Sequence, residues 1–362
     1  YHDLYNAPSV DSVTSVLRPG VKRPNVFIIV MESFSDTITH VPGVTPNLNR
    51  LKQEGIYFSR FYANSFRTDR GLVSVLYGYP SPATVSLMKY PRKTAAMPSI
   101  AAHLEKAGYE AAYYYGGDAD FTNMRSFLIN QGFRKITSDV DFPVSERLSK
   151  WGVPDHLLFR RAEKDILSWP ADGKPRLTVI QTSSSHEPFD VPYHRLNDKI
   201  LNAFAYSDSC VGAFVQTLHK SKLWNNSLVI MVPDHLGAWP QHPDNFKPWR
   251  YHIPLVWVGG ALREPMVVKT LGSQQDIAAT LLSQLGIEHK NMIFSKDMLN
   301  PAVNHFAFFL PNDGIGMITE DNQLIYDNQL KKTVYDAGKE KGKNLRSGKA
   351  LLQVLFDDIS KR

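Results

Sequence analysis

Asn25-Val26-Phe27-Ile28-Ile29-Val30-Met31, followed at once by Glu32, is the stretch that decides the fold. A continuous apolar run rich in β-branched residues, with no polar alternation, is what a parallel strand covered on both faces requires. A helix is expected next. Thr45-Pro46 supplies a helix start with proline in the first turn, Leu48 and Leu51 share one face, and Gly55 closes the element. The same alternation is expected downstream: helix over 98–106 ended by Gly108, strand over 110–115 running into Gly116-Gly117, and apolar strands over 176–181 and 227–232. The last two are separated by a helical stretch around 202–219. A further strand is expected over 253–258. Ser273-Gln274-Gln275-Asp276 resembles a capping box opening a helix whose apolar face holds Ile277, Leu281, Leu282 and Leu285, with Gly286 at its end. Strand and helix in alternation predict an α/β fold with a largely parallel central sheet sandwiched by helices.

Working outward, residues 1–24 lack periodicity and end in the Pro- and Arg-rich Arg18-Pro19-Gly20-Val21-Lys22-Arg23-Pro24, which reads as a linker. Residues 25–299 form the main domain. From 300 to 362 the texture changes to short strand-like pieces over 305–310, 316–319 and 323–326, broken by Asn-Asp-Gly and Glu-Asp-Asn turns. A small antiparallel sheet packed on the main domain is expected there. It is followed by a basic stretch over 339–346, read as a solvated face before a membrane contact, and an amphipathic helix over 348–359.

Composition limits the function classes. With 362 residues, 43% of them hydrophobic, the chain can bury a large core. Its 41 Lys and Arg against 35 Asp and Glu leave a mild +6, which suits an anionic substrate or a membrane surface and falls short of a nucleic-acid signature. The single cysteine, Cys210, excludes an internal disulfide and multi-cysteine metal sites, and its place beside Phe214 on a helix reads as core packing. No apolar run reaches the roughly eighteen residues of a membrane span. The chain starts at Tyr1 rather than methionine, so it is expected to be a piece of a longer protein whose membrane part is missing.

In an open parallel sheet, side chains just past the C-terminal strand ends converge on one edge, where ligands bind. The residues at those ends are Glu32, His186 and the pair Asp234-His235. Carboxylate oxygen and imidazole nitrogen are what a hard or borderline divalent cation takes, so Glu32, Asp234 and His235 form a candidate metal site. Thr68, in Asn64-Ser65-Phe66-Arg67-Thr68-Asp69-Arg70-Gly71, precedes a helix through Leu72, Val75 and Leu76. Two roles fit it: an ordinary N-cap, or a nucleophile whose hydroxyl faces a helix N-terminus beside a cation.

Val30-Met31-Glu32-Ser33-Phe34, Thr45-Pro46-Asn47-Leu48, the Thr68 segment, Ser185-His186-Glu187-Pro188-Phe189, Pro233-Asp234-His235-Leu236-Gly237, Ile253-Pro254-Leu255 and Asp276-Ile277-Ala278-Ala279-Thr280-Leu281-Leu282 occur in that order. In this order the chain resembles the alkaline phosphatase superfamily, and within its sulfatase-fold branch the lipoteichoic acid synthase and phosphoglycerol transferase group, over residues 25–290. The resemblance implies a covalent intermediate on Thr68 and one divalent metal ion held by Glu32, Thr68, Asp234 and His235. Manganese comes first, with magnesium or zinc as alternatives. His186 is implied as a contact to the phosphoryl oxygens or an acid for the leaving group. An anionic phospholipid or phosphodiester is the implied substrate, handled outside the cytoplasm by a monomer whose parent is anchored at the membrane. No nucleic-acid partner is expected.

Sulfatases build their nucleophile from Cys or Ser in a Cys/Ser-x-Pro-x-Arg segment, which Thr68-Asp69-Arg70-Gly71 does not match. Sulfate-ester hydrolysis is disfavoured accordingly. Where relatives carry Phe-Trp-Asn-Arg this chain reads Phe121-Thr122-Asn123-Met124, leaving Asn123, the displaced Arg125 and Trp151 of Trp151-Gly152-Val153-Pro154-Asp155 as substrate-contact candidates. A phosphoglycerol- or phosphoethanolamine-type transferase is expected. A phosphodiesterase or phosphatase using water as acceptor is the alternative within enzymes, and a non-catalytic binding domain on the same fold is the alternative outside them.

Overall fold

The computed structural model describes residues 1–5, 13–148, 152–241 and 244–362. In chain order the main-domain strands are β1 (Asn25–Met31), β2 (Ile56–Phe58), β3 (Phe61–Tyr62), β4 (Glu110–Tyr115), β5 (Phe133–Thr137), β6 (Arg176–Gln181), β7 (Ser227–Pro233), β8 (Leu255–Val258), β9 (Met266–Val268) and β10 (Gly272–Ser273). Eight of them form the central sheet in the order β5-β4-β6-β1-β7-β8-β2-β9. Pairing is parallel from β5 through to β7, antiparallel on both sides of β8, and parallel again between β2 and β9. β8 alone in this sheet therefore runs against the rest.

All seven residues of β1 are buried, and the reason is visible in where alternate side chains go. Val26, Ile28 and Val30 enter one core layer while Phe27, Ile29 and Met31 enter the other. The first layer holds Leu72, Val75 and Leu76 of the helix Thr68–Tyr77 and Ile277, Leu281 and Leu282 of the helix Asp276–Gln284. The second holds Leu48 and Leu51 of Pro46–Glu54, and Phe204, Val211 and Phe214 of the long helix Lys199–His219. A central strand between two helical layers has no solvated face, so an unbroken apolar run is the only pattern that fits. Cys210 is buried in the second layer, as core packing requires.

The C-terminal part is a four-stranded antiparallel sheet of β11 (Ala307–Phe309), β12 (Gly314–Ile318), β13 (Asn322–Asp327) and β14 (Lys332–Gly338), followed by the helix Lys343–Lys361. That helix starts inside the basic stretch, whose Lys339, Lys341 and Lys343 are exposed. Among the described residues no helix is long and apolar enough to cross a membrane.

Two local expectations change. Residues 13–24, read as linker, lie against the domain: Val16 and Leu17 are buried, and the Arg18 guanidinium donates to the carbonyls of Gly260 and Asn225 at 2.6 and 2.7 Å. Ser273 is not a helix cap but part of β10, with its hydroxyl accepting from Phe308 N–H at 2.8 Å. Asp276 ties this turn together instead, accepting from Ser273 N–H at 2.9 Å and from the buried Lys296 ammonium at 3.0 and 3.1 Å.

Candidate active site at the C-terminal strand ends

β1 and β7 are adjacent and parallel, with Met31 paired to Pro233, so the next residue on each strand, Glu32 and Asp234, emerges at the same level. Both are buried. His235 follows, and its Nε2 lies 3.4 Å from a carboxylate oxygen of each. Its Nδ1 is 2.6 Å from the Leu236 carbonyl, which can only accept, so that nitrogen carries hydrogen and Nε2 is the one presented to the carboxylates. One donor atom from each of the three residues falls within 4.8 Å of the other two.

The backbone around this trio is tightly specified. Ser33 adopts φ 62°, a left-handed conformation that costs a serine about 1 kcal/mol or more, and thereby aims its N–H at Asp234 Oδ1, 2.9 Å away. Its hydroxyl donates to Glu32 Oε1 at 3.1 Å. Ser185 Oγ donates to the Glu32 carbonyl at 2.6 Å, linking the His186 loop to the same turn. Gln274 bridges from the far side: its carbonyl accepts from Asn64 N–H at 2.9 Å while its amide donates to the carbonyls of Pro233 and Asp234 at 2.8 and 3.0 Å.

Thr68 occupies the first turn of Thr68–Tyr77, and the capping position belongs to Arg67. Its hydroxyl makes no cap. It donates to Asp234 Oδ2 at 2.8 Å and lies 3.4 Å from Glu32 Oε2. The helix can come this close because Gly71 has no side chain: a Cβ there would sit 1.5 Å from the Asp234 carbonyl oxygen.

The electrostatics call for a cation. Burial and the neighbouring Glu32 push the Asp234 carboxyl well above the usual range. Burial also opposes charge on Glu32, but hydrogen bonds to Asp234 and His235 outweigh it and hold that carboxyl down. Burial disfavours the imidazolium of His235, yet the two carboxylates raise it to about 9. Two buried carboxylates thus share one proton-bearing imidazole as their only close counter-charge among the described residues. Oxygen and nitrogen donors converging in this way fit a hard or borderline divalent ion, with Thr68 Oγ1 as a further oxygen.

These groups line an open cleft of about 700 Å³. Its lining combines apolar side chains, Phe66, Met88, Tyr115, Phe121, Met124 and Phe189, with the basic Arg67, His186 and Arg250. His186 reaches the cleft as expected from its strand, with Nδ1 2.9 Å from the Glu187 carbonyl. The remaining substrate-contact candidates fare differently. Asn123 is not among the cleft-lining residues; it adopts φ 63° as the cap of Met124–Gln131, while Phe121, Thr122 and Met124 face the cleft. Arg125 is likewise not among them, its guanidinium bonded to Asp120 at 3.0 Å and Ser138 at 3.2 Å. Trp151 lies outside the described residues. Gly71, Gln274 and Arg250 were not singled out from the sequence. Only Gly71, three residues past Thr68 at a helix start, carried a local signal.

The sulfatase family model matches residues 24–287. Phosphoglycerol transferase I of Xanthomonas campestris pv. campestris is 26% identical over 308 residues, covering 78% of this chain and 43% of that protein. Lipoteichoic acid synthase of Staphylococcus saprophyticus is 25% identical over 383 residues, covering 94% of this chain and 57% of that protein. The chain thus spans about half the length of the curated relatives it matches. Among solved structures, an alkaline phosphatase superfamily protein from Vibrio parahaemolyticus superposes with TM-score 0.83 at 26% identity, covering 96% of this chain and 90% of that one. A lipoteichoic acid synthase from Listeria monocytogenes gives 0.81 at 21% identity, covering 99% and 97%, and shares the fold. With strand-end carboxylates, a helix-borne threonine and the family model all on one framework, the chain belongs to the sulfatase family, within the alkaline phosphatase superfamily of enzymes.

Proposed function

We propose that this domain is a metal-dependent phosphoryl-group transferase that acts on the phosphodiester headgroup of an anionic phospholipid, of the phosphoglycerol class, through a covalent intermediate on Thr68. The observation that carries this reading is the Thr68 hydroxyl at a helix N-terminus, hydrogen-bonded at 2.8 Å to Asp234 within the Glu32–Asp234–His235 cluster. The names of the similar proteins, a phosphoglycerol transferase and a lipoteichoic acid synthase, supply the substrate class.

Glu32, Asp234, His235 and Thr68 would hold one divalent ion, manganese before magnesium or zinc. When bound, it neutralises the carboxylates, lowers the pKa of the Thr68 hydroxyl and withdraws charge from the phosphoryl group. Thr68 Oγ1 gives its proton to Asp234 Oδ2, its hydrogen-bond acceptor at 2.8 Å, and bonds to phosphorus as the bond from phosphorus to the lipid alcohol breaks. His186 at the cleft wall supplies the proton that the leaving alcohol takes up. An acceptor hydroxyl then gives its proton to His186 and attacks the same phosphorus, and the displaced Thr68 oxygen takes its proton back from Asp234. The free N–H groups of the first helical turn face the charge that develops on the phosphoryl oxygens. Threonine at position 68 cannot give the formylglycine of sulfate-ester hydrolases, which favours phosphoryl over sulfuryl chemistry. A phospholipid donor implies work at a membrane surface, which we read as the extracytoplasmic one.

Release of diacylglycerol from phosphatidylglycerol vesicles tests the proposal. Turnover should require added manganese, stop with chelator, and fall by at least ~10³-fold in Thr68→Ala. Full turnover in that variant would sink the mechanism.

A further inference from the structure

Three Lys or Arg side chains are buried among the described residues: Arg176, Arg250 and Lys296. Arg176 is paired to Asp172 at 3.0 Å and Lys296 to Asp276 at 3.0 Å. Arg250 has no such partner among the described residues. It sits in the turn Pro248–Tyr251, is 6% exposed, and spends one donor, Nη1, on the Gly237 carbonyl at 2.6 Å. Its Nε is buried with no acceptor, and no carboxylate among the described residues is close enough to pair with it. Burial accordingly draws its pKa down.

A guanidinium taken out of water without a counter-charge is strongly disfavoured, and one neutral carbonyl does not offset that. The side chain nevertheless lines the cleft that holds Thr68, His186 and His235, so an anion entering the cleft would meet it. Arg125, the arginine expected near the headgroup, is already bonded to Asp120 and Ser138.

We propose that Arg250 is an anion-binding residue of the cleft, and that its guanidinium takes an anionic phosphate oxygen of the substrate. This rests on reading the cleft as the phosphoryl-transfer site. The oxygen belongs either to the phosphoryl group being transferred or to a second phosphate on the same substrate. Arg250 also anchors the Gly237 carbonyl, two residues after His235, so a purely structural role would show up in metal binding instead.

The test uses the full chain loaded with manganese, as wild type, Arg250→Lys and Arg250→Gln. Inorganic phosphate is titrated calorimetrically, and kcat/KM is measured on bis(4-nitrophenyl) phosphate and on cardiolipin vesicles. Phosphate affinity should fall by about 10- to 100-fold in Arg250→Gln, the loss of a charge-assisted hydrogen bond, and recover in part in Arg250→Lys. Manganese affinity should stay the same. A parallel loss of kcat/KM on bis(4-nitrophenyl) phosphate, whose only anion is the reacting group, assigns the contact to that group; a loss confined to cardiolipin assigns it to the second phosphate. Unchanged phosphate affinity, or a loss that tracks weakened manganese binding, would overturn the proposal. Phosphate binding that depends on Arg250 in a protein that turns over neither substrate would instead refute the transferase reading and leave the anion site standing.

Discussion

Replacing Gly71 with alanine adds one methyl group at the closest approach between the nucleophile's helix and the metal-ligand backbone. The new Cβ would lie 1.5 Å from the Asp234 carbonyl oxygen and 2.6 Å from its carbon, where ordinary contact begins at 3.4 Å. The helix must therefore retreat by about 2 Å, because both atoms it meets are backbone rather than the end of a flexible side chain. In an exposed helix the same substitution would stabilise by about 1 kcal/mol through propensity. Here overpacking of about 1–3 kcal/mol opposes that gain, so the net change in stability is small or unfavourable. Function should suffer far more. A retreat of that size breaks the 2.8 Å bond from Thr68 Oγ1 to Asp234, and a 1 Å misplacement of a reacting group already costs on the order of 10²-fold. Urea denaturation together with diacylglycerol release separates the two effects. Gly71→Ala should lose at least ~10²-fold in turnover while losing less than ~3 kcal/mol in stability. Wild-type turnover in that variant would refute the claim that helix and strand end are held in register by this contact.

Other substitutions test the supports of the site. Gln274→Leu keeps the volume but removes three buried hydrogen bonds, stranding Asn64 N–H, and should cost about 2–4 kcal/mol and weaken manganese about tenfold by calorimetry; no change in either would show the bridge to be incidental. Lys296→Met leaves Asp276 buried without its ammonium and should destabilise by about 3–5 kcal/mol in urea, whereas a loss under ~1 kcal/mol would contradict the pairing. In the metal-free protein His235 is raised to about 9, above its unfolded value near ~6.5. Its contribution to stability is therefore complete below ~6.5 and lost as pH rises through about 9, so chelated protein should be less stable at high pH through this group. Manganese competes with that proton, so its affinity should climb over the same interval, and a flat affinity from pH 6 to 9 would exclude His235 as a ligand.

How much of this was legible in the sequence depends on how local the signal is. β1 and β7 declare themselves because a strand covered on both faces must be apolar throughout, and their next residues, Glu32 and Asp234, then follow from parallel pairing alone. Direction is different. An apolar run such as 255–258 reads the same either way, and only the chain path shows that β8 opposes its neighbours. Three-residue strands such as β2 and β9 are too short for any period to register. Within the site, Gln274 and Arg250 act on segments met only through folding: Gln274 reaches Asn64 across 210 positions, and the Arg250 turn joins the lining of the cleft that holds Thr68. Within Phe121–Met124 the sequence pointed to Asn123 as the substrate contact, whereas Phe121, Thr122 and Met124 line the cleft and Asn123, left-handed like Thr122, does not.

The most direct test of the central claim is the mass of the Thr68 peptide after the manganese-loaded protein is incubated with a phosphatidylglycerol extract and quenched. The added mass of a phosphoglycerol group is expected on Thr68, absent from Thr68→Ala and from chelated protein. An unmodified Thr68 peptide during active turnover, or the same adduct on another residue, would contradict it.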